Sequence, residues 1–279
     1  MIPAPFDYEI AESVDQAVEL LGSRDDAKLL AGGHSLIPLL RLRFARPALL
    51  VDIGRVDELR YVRDAGEQLA IGAMTRHHDL HHDPLVQEHT PIVSYTAGLI
   101  GDPQVRHRGT IGGSVAHGDP ASDLPTILAA LDADLVVRGP GGERTIPAAE
   151  FFRGVFETAL GPQDVLTEIR IPKLGPAGWS YVKFTRRAQD WATVGVAAVV
   201  RRSNGTIDEA AIALTNMGPK PVRAHAAEAA LKTADDVNAA ADVVAQESDP
   251  PSDTSGSAEY RRHLAQVLAR RALEEAIAK

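Results

Sequence analysis

Two short segments pair glycines with hydroxyl residues, a composition that lets a backbone close on a phosphate. Ala31-Gly32-Gly33-His34-Ser35 lies between an apolar run and the start of a helical pattern. Glycine has no Cβ, so the chain can turn sharply and approach a ligand closely. Unpaired N–H groups at a helix start attract anions, and Ser35 is placed to cap the helix and to offer a hydroxyl. Gly109-Thr110-Ile111-Gly112-Gly113-Ser114 repeats this logic. Two such loops could clamp the two halves of a pyrophosphate. The plain alternative for each is a tight turn that binds nothing, and a second copy weakens it. Neither loop fits Gly-x-Gly-x-x-Gly, and no Walker A sequence occurs, which disfavours a Rossmann site or a P-loop.

Other segments offer polar chemistry with simpler readings beside it. In Asp119-Pro120-Ala121-Ser122-Asp123-Leu124, Ser122 or Asp123 can cap the next helix. An acid there could also accept hydrogen bonds from a ribose or a ring N–H. His77-His78-Asp79-Leu80-His81-His82 contains two i, i+4 histidine pairs, a spacing that can chelate a metal. The Glu of His-Glu-x-x-His is missing, and the expected reading is a solvated polar face. Lys183-Phe184-Thr185-Arg186-Arg187 with Asp190-Trp191 reads as a strand end with solvated charges, or as a wall beside a ring system. Gly33-His34-Ser35-Leu36-Ile37 fails Gly-x-Ser-x-Gly at its last position, so a serine hydrolase has little support.

These segments need elements to hold them. Ser13-Val14-Asp15-Gln16 has capping-box spacing, and Val14, Ala17, Val18 and Leu21 mark one helical face that Gly22 ends. A short strand, the double glycine, a helix closed by Pro47 and the strand Leu49 to Ile53 follow. Residues 59–73 read as a hairpin. Thr75 is placed to cap a helix running to about Asp83, and Pro91 to Leu99 forms another. Residues 101–118 resist assignment. A helix covers Leu124 to Leu131, and strands lie at Leu135 to Val137 and Val165 to Ile171. The character changes after Pro172. Three strands at 180–186, 192–202 and 206–216 are expected, with Asn204-Gly205 as a hairpin turn. Alanine-rich helices follow from about Arg223, and a last helix carries Tyr260, Leu264, Leu268 and Leu273.

Composition narrows the classes. The 279 residues hold 38 acids and 29 bases, for a formal charge of −9. This balance argues against a nucleic-acid binder. Cysteine is absent, which excludes disulfides, thiolate chemistry and a cysteine-held iron–sulfur cluster. No apolar run approaches the ~20 residues that span a bilayer. The opening Met1 to Asp7 lacks the pattern of a signal peptide.

The ordered set of motifs resembles a known family. Ala31 to Ser35, Thr110 to Ser114, Asp119 to Leu124, Phe151-Phe152 and Leu166-Thr167-Glu168-Ile169-Arg170-Ile171-Pro172 occur in the order and spacing of the FAD-binding medium subunits of molybdenum hydroxylases. Met1-Ile2-Pro3, Phe6-Asp7-Tyr8 and Lys183 to Arg187 with Asp190-Trp191-Ala192 match the aerobic carbon monoxide dehydrogenase type within the xanthine dehydrogenase family. The resemblance covers essentially the whole chain.

The resemblance implies an α+β fold. A two-subdomain FAD domain of the PCMH/vanillyl-alcohol-oxidase type would span 1–173, with subdomains of about 1–55 and 56–173. Residues 174–279 would form a C-terminal domain of antiparallel sheet and helix bundle. It implies that Ala31, Gly32, Gly33, His34 and Ser35 hold one side of the FAD pyrophosphate, and Gly109, Thr110, Ile111, Gly112, Gly113 and Ser114 the other. His117 and Asp123 match positions near the flavin or its ribityl chain. Leu166 falls in the adenine pocket with Ile100 nearby. The flavin-contacting lysine of related xanthine dehydrogenases aligns one position before Lys183, at Val182. Trp191 is the candidate neighbour of the isoalloxazine ring.

An electron-transfer subunit without catalytic acid–base residues or a metal of its own is implied. It would pass electrons from two [2Fe–2S] clusters on a small subunit to an external acceptor. A large subunit would carry molybdopterin cytosine dinucleotide and the substrate pocket. Carbon monoxide, purines, N-heterocycles and aldehydes are therefore all compatible with this chain. The implied assembly is a dimer of heterotrimers, cytoplasmic or peripheral at the inner face of the membrane. A stand-alone FAD oxidase or dehydrogenase of the same fold is the alternative. A binding module that has lost electron transfer is a third reading, disfavoured by the intact glycine loops.

Overall fold

The computed structural model describes residues 1–279. It begins with a small parallel sheet, whose first strand, β1 (Asp7–Ile10), went unread in the sequence. Helix α1 (Val14–Gly22) follows, then β2 (Ala27–Leu30), α2 (Leu36–Leu42) and β3 (Leu49–Asp52). The strand order is β1-β3-β2, with Tyr8, Leu50 and Lys28 in register on one face. The opposite face, with Leu49 and Val51, packs on Ala17 and Leu21 of α1. Ser13 Oγ accepts from Gln16 N at 3.2 Å, while Gln16 Oε1 accepts from Glu12 N at 2.7 Å. The capping box is thus present with its return bond shifted by one residue. Gly22 is the last helical residue, but the cap is Ser23 in a right-handed conformation. The backbone there requires no glycine.

A second unit is built on five antiparallel strands in the order β4-β5-β10-β6-β7. They are β4 (Val62–Asp64), β5 (Gln68–Gly72), β6 (Asp134–Gly139), β7 (Gly142–Pro147) and β10 (Val165–Pro172). A two-stranded ribbon, β8 (Phe152–Gly154) and β9 (Glu157–Thr158), precedes β10. Between β5 and β6 come α3 (His77–His82), α4 (Pro84–His89), α5 (Pro91–Gly98), α6 (Pro103–Arg106), α7 (Ile111–His117) and α8 (Asp123–Ala130); α9 (Ala148–Phe151) follows β7. The stretch 101–118 therefore contains two short helices, and Gly112-Gly113 lies inside the second. Thr75 does not cap α3. Arg76 holds that position, and the Thr75 hydroxyl donates to the Tyr61 carbonyl at 3.0 Å.

The last unit is the sheet β11 (Gly178–Phe184), β12 (Val194–Ser203), β13 (Thr206–Thr215) and β14 (Val222–Arg223), followed by α10 (His225–Ala234), α11 (Val237–Val243) and α12 (Ala258–Ala278). Asn204 and Gly205 both have positive φ, 52° and 87°. This is the twist a two-residue hairpin needs. Both faces of this sheet are buried. Val194, Val196, Ala198, Ile212 and Leu214 pack against the helices, while Tyr181, Ala197 and Ala213 join the core of the preceding unit. Two-sided burial explains the nearly continuous apolar run 194–200.

The Ser13 cap is the least redundant local device in α1, a nine-residue helix. Ser13→Ala is expected to destabilise the chain by about 1 kcal/mol, measured by urea denaturation.

Candidate cofactor site

The two glycine segments meet. A Cβ on Gly32 would stand 2.3 Å from the Arg108 carbonyl oxygen and 2.9 Å from Gly109 Cα, so only glycine fits there. Gly33 has φ +80°, a conformation that favours glycine. This turn leaves the amides of the first loop unspent. None of the six N–H groups from Ala31 to Leu36 donates a hydrogen bond to the chain, and the first helical bond runs from Ile37 N to Gly33 O at 2.9 Å. His34 and Ser35 are exposed. Ser35 makes no cap bond, because its own φ and ψ are already helical.

The second segment works differently. Thr110 caps α7 by accepting from Gly113 N at 3.2 Å, and its carbonyl accepts from Ser114 N. Ile111 N and Gly112 N donate to the carbonyls of Thr75 and Ala73. A Cβ on Gly112 would meet Ala73 at 2.4 Å, and one on Gly113 would lie 3.5 Å from Ala31. Five of the six amides of this segment are thus bonded within the chain, two of them to carbonyls just past β5, which tie α7 to the five-stranded sheet. It offers the Ser114 hydroxyl and a side chain-free surface facing the first loop.

The histidine cluster is a solvated face only in part, with His82 exposed and His78 and His81 half-buried. His77 is buried, its N–H donates to Gly109 O at 3.0 Å, and its ring sits where a Gly109 side chain would be. Burial, aided by the nearby positive groups of Arg106 and His34, lowers its pKa to about 4. His81 Nδ1 lies 3.0 Å from Ser94 O, while His78 stacks on His107 at 4.0 Å. No group of three or more potential ligands is arranged for a metal. His117, at the end of α7, lies 4.9 Å from the Phe156 ring, and burial lowers its pKa.

Asp123 does not cap α8 with its carboxylate. Tyr181 Oη donates to Oδ1 at 2.7 Å and Lys183 Nζ to Oδ2 at 2.8 Å. Tyr181 Oη also lies 3.0 Å from Thr215 Oγ1, which reaches Thr126 Oγ1 at 2.8 Å. Burial raises the Asp123 carboxyl, and Lys183 and Tyr181 oppose that rise. Lys183 is therefore paired, not solvated. Strand alternation puts Lys183 on the Tyr181 face and turns Val182 toward the helices. Tyr181 and Thr215 were missed in the sequence, although the two-residue step from 181 to 183 was there to read.

The remaining residues lie apart from this join. Leu166 is buried in the core beside a β-bulge, and Ile100 packs against the same core. Trp191 is 65 % exposed, in the turn between β11 and β12.

Two outcomes are expected. Lys183→Met strands a buried carboxylate and should cost about 3–5 kcal/mol in chemical denaturation, most of it recovered in Asp123→Leu/Lys183→Met. His77 is neutral in the fold down to about pH 4, whereas the unfolded chain takes up its proton near 6.5. Its contribution is complete above pH 6.5 and is lost as pH falls toward 4, by about 3 kcal/mol. His77→Phe should remove that part of the slope when urea titrations at pH 7 and pH 4.5 are compared with wild type.

Comparisons with known proteins follow the same lines. A family model described as "FAD binding domain in molybdopterin dehydrogenase" matches residues 4–174, and one described as "CO dehydrogenase flavoprotein C-terminal domain" matches 179–276. The carbon monoxide dehydrogenase medium chain of Hydrogenophaga pseudoflava is 45% identical, covering 100% of this chain and 99% of that one. The glyceraldehyde dehydrogenase medium chain of Sulfolobus acidocaldarius is 38% identical, covering 99% of each. A solved structure of the Hydrogenophaga pseudoflava enzyme superposes with a TM-score of 0.97 at 48% identity, over 100% of this chain and 99% of that chain. The chain belongs to the family of FAD-binding medium subunits of the molybdenum hydroxylases, the carbon monoxide dehydrogenase and xanthine dehydrogenase family.

Proposed function

We propose that the free amides of Ala31 to Leu36 hold the FAD pyrophosphate, and this row of unspent donors carries the reading. Two adjacent phosphates are acceptor-rich and donor-poor, which suits consecutive N–H groups with no partner in the chain. Gly32 and Gly33 shape the loop, and Ser114 adds a hydroxyl from the facing segment. Ile111, Gly112 and Gly113 serve as the floor on which the first loop rests. His34 and Ser35 border the open side. Asp123 and Lys183, with His117, bound the flavin side; Ile100 and Leu166 bound the adenine side; Trp191 lies against the ring edge. Lys183 acts through Asp123, fixing the carboxylate that faces the cofactor.

FAD bound here supplies acceptance of electrons and their transfer, while the protein supplies position and electrostatics. The chain's residues bind and orient; no acid–base pair is assigned. Within the proposed assembly, an iron–sulfur subunit donates electrons and a large molybdenum subunit selects the substrate, as a dimer of heterotrimers in the cytoplasm. The division of the chain near residue 173 separates the cofactor-binding part from a C-terminal part that packs on it. Full-length similarity to proteins named medium chains supports this subunit reading over a stand-alone oxidase. No helix is long and apolar enough to cross a membrane, and any contact with the inner membrane face would be peripheral.

The visible spectrum of the natively purified chain tests the reading. Flavin bands together with iron–sulfur absorbance in a larger complex are expected. A single-chain flavoprotein bleached by a small substrate would overturn the subunit assignment. Gly32→Ala places a methyl against the Arg108 carbonyl and forces the loops apart. FAD affinity should fall at least tenfold, about 1.4 kcal/mol, measured by flavin fluorescence titration.

A further inference from the structure

Arg261 is a fully buried cation on α12, at helical spacing from the core residues Leu264, Ala265 and Leu268. Arginine is almost never fully buried unless paired, and an apolar residue of similar volume is often no worse for stability. Its Nε is also buried without a hydrogen-bond partner, a cost that packing alone does not explain. What the guanidinium supplies is direction. Nη1 donates to the Thr193 carbonyl, and Nη2 donates to Asp253 Oδ1 at 2.7 Å. Asp253 is itself held. Its Oδ1 accepts from Ser255 N at 2.7 Å, and its backbone exchanges bonds of 3.1 and 3.2 Å with Gly256.

The Thr193 carbonyl belongs to the loop 185–193, which joins β11 to β12 and carries Trp191. Thr193 N donates to Phe184 O at 2.8 Å and closes the base of the loop. Near its start, Arg186 Nη1 donates to Thr254 O at 3.3 Å; near its end, Asn216 Nδ2 donates to Ala192 O at 2.7 Å. Between these ties the backbone makes one bond of its own, Asp190 N to Arg187 O at 3.0 Å, and residues 186–189 and Trp191 are exposed. The loop begins two residues after Lys183. Asn216 N also donates to Pro120 O at 2.9 Å, so the residue that holds Ala192 holds the segment leading to Asp123.

We infer that Arg261 is a positioning residue: with Asp253 it clasps the loop 185–193 and sets where Trp191 stands beside the Asp123–Lys183 join. The inference rests on the flavin-side reading above. The Arg186 tie is exposed and competes with water, whereas a hydrogen bond in a buried, low-dielectric setting is stronger and persists. A planar guanidinium reaches a carbonyl and a carboxylate at once, which neither an apolar side chain nor a lysine does in the same geometry. Without it, the exposed middle of the loop is held at its far end by Asn216 and the closing bond to Phe184.

The test uses the full chain, with and without FAD, and the native complex. Trp179→Phe leaves Trp191 as the sole tryptophan. In that background Arg261→Met keeps most of the bulk and removes both bonds. In the flavin-free chain, well below its thermal midpoint, the acrylamide quenching constant of Trp191 should rise about twofold. Arg261→Lys should recover part of that change. Asp253→Asn, at a partly exposed side chain, should move the constant the same way even if Arg261→Met fails to fold. In the complex, dithionite-reduced flavin should be reoxidised by a water-soluble quinone about threefold faster in Arg261→Met, because a released loop uncovers the ring edge. Arg262→Met, on the exposed side of the same helix, should change neither reading. A lowered thermal midpoint with wild-type quenching and reoxidation would leave Arg261 a buried structural residue and overturn the proposal. Failure of the flavin-side reading shows separately: FAD would leave Trp191 quenching unaltered in the parent chain, while the effect of Arg261→Met on the flavin-free chain persists.

Discussion

The glycine loops depend on the contact between Gly32 and the backbone at Arg108 and Gly109. Two chain segments separated by more than seventy residues touch main chain to main chain, with no room for a methyl group. That contact joins the parallel sheet to the five-stranded sheet at the point where the first loop leaves its strand. Gly33 then turns the loop through a left-handed conformation. Together they prevent the loop from closing its hydrogen bonds on itself. A row of free donors follows from this geometry, and it persists because the second segment, stitched to Ala73 and Thr75, cannot yield.

The second organising feature is polar and buried. Asp123 begins α8 inside the protein, and its charge is tolerable only because Lys183 and Tyr181 reach it from β11. A buried carboxylate without such partners would be strongly destabilising. The pair fixes the C-terminal sheet at one register against α8, as a directional contact within an otherwise apolar seam. The apolar face of β12 and β13 could slide by a residue pair at modest cost; the Asp123–Lys183–Tyr181 join could not. The lysine thus belongs to the architecture of the seam.

Division of labour is written into composition as well as geometry. A chain without cysteine holds no cysteine-ligated cluster, so one-electron relay must come from another polypeptide.

The sequence by itself determined the elements whose signals are local. The Ser13 cap, the Asn204-Gly205 hairpin, the apolar strand Leu49 to Ile53 and the glycine pairs each follow from backbone freedom, periodicity or side-chain oxygens within a few residues. The ordered spacing of those pairs with Asp123 and Leu166 was enough to reveal the family. Only the tertiary structure decided what each polar residue does. Thr75, Ser35 and Asp123 all read as helix caps, and none caps with its side chain, because Tyr61, a helical φ at Ser35, and the Lys183–Tyr181 pair settled their roles from elsewhere. His77 read as solvated and is buried, since the partner of its face, Gly109, lies thirty-two residues away. The two glycine segments look alike in sequence and differ in the fold: one keeps its amides free and the other spends most of them on Thr110 and on the carbonyls of Ala73, Thr75 and Val105. Long-range hydrogen bonds choose between such outcomes, and a local pattern does not contain them.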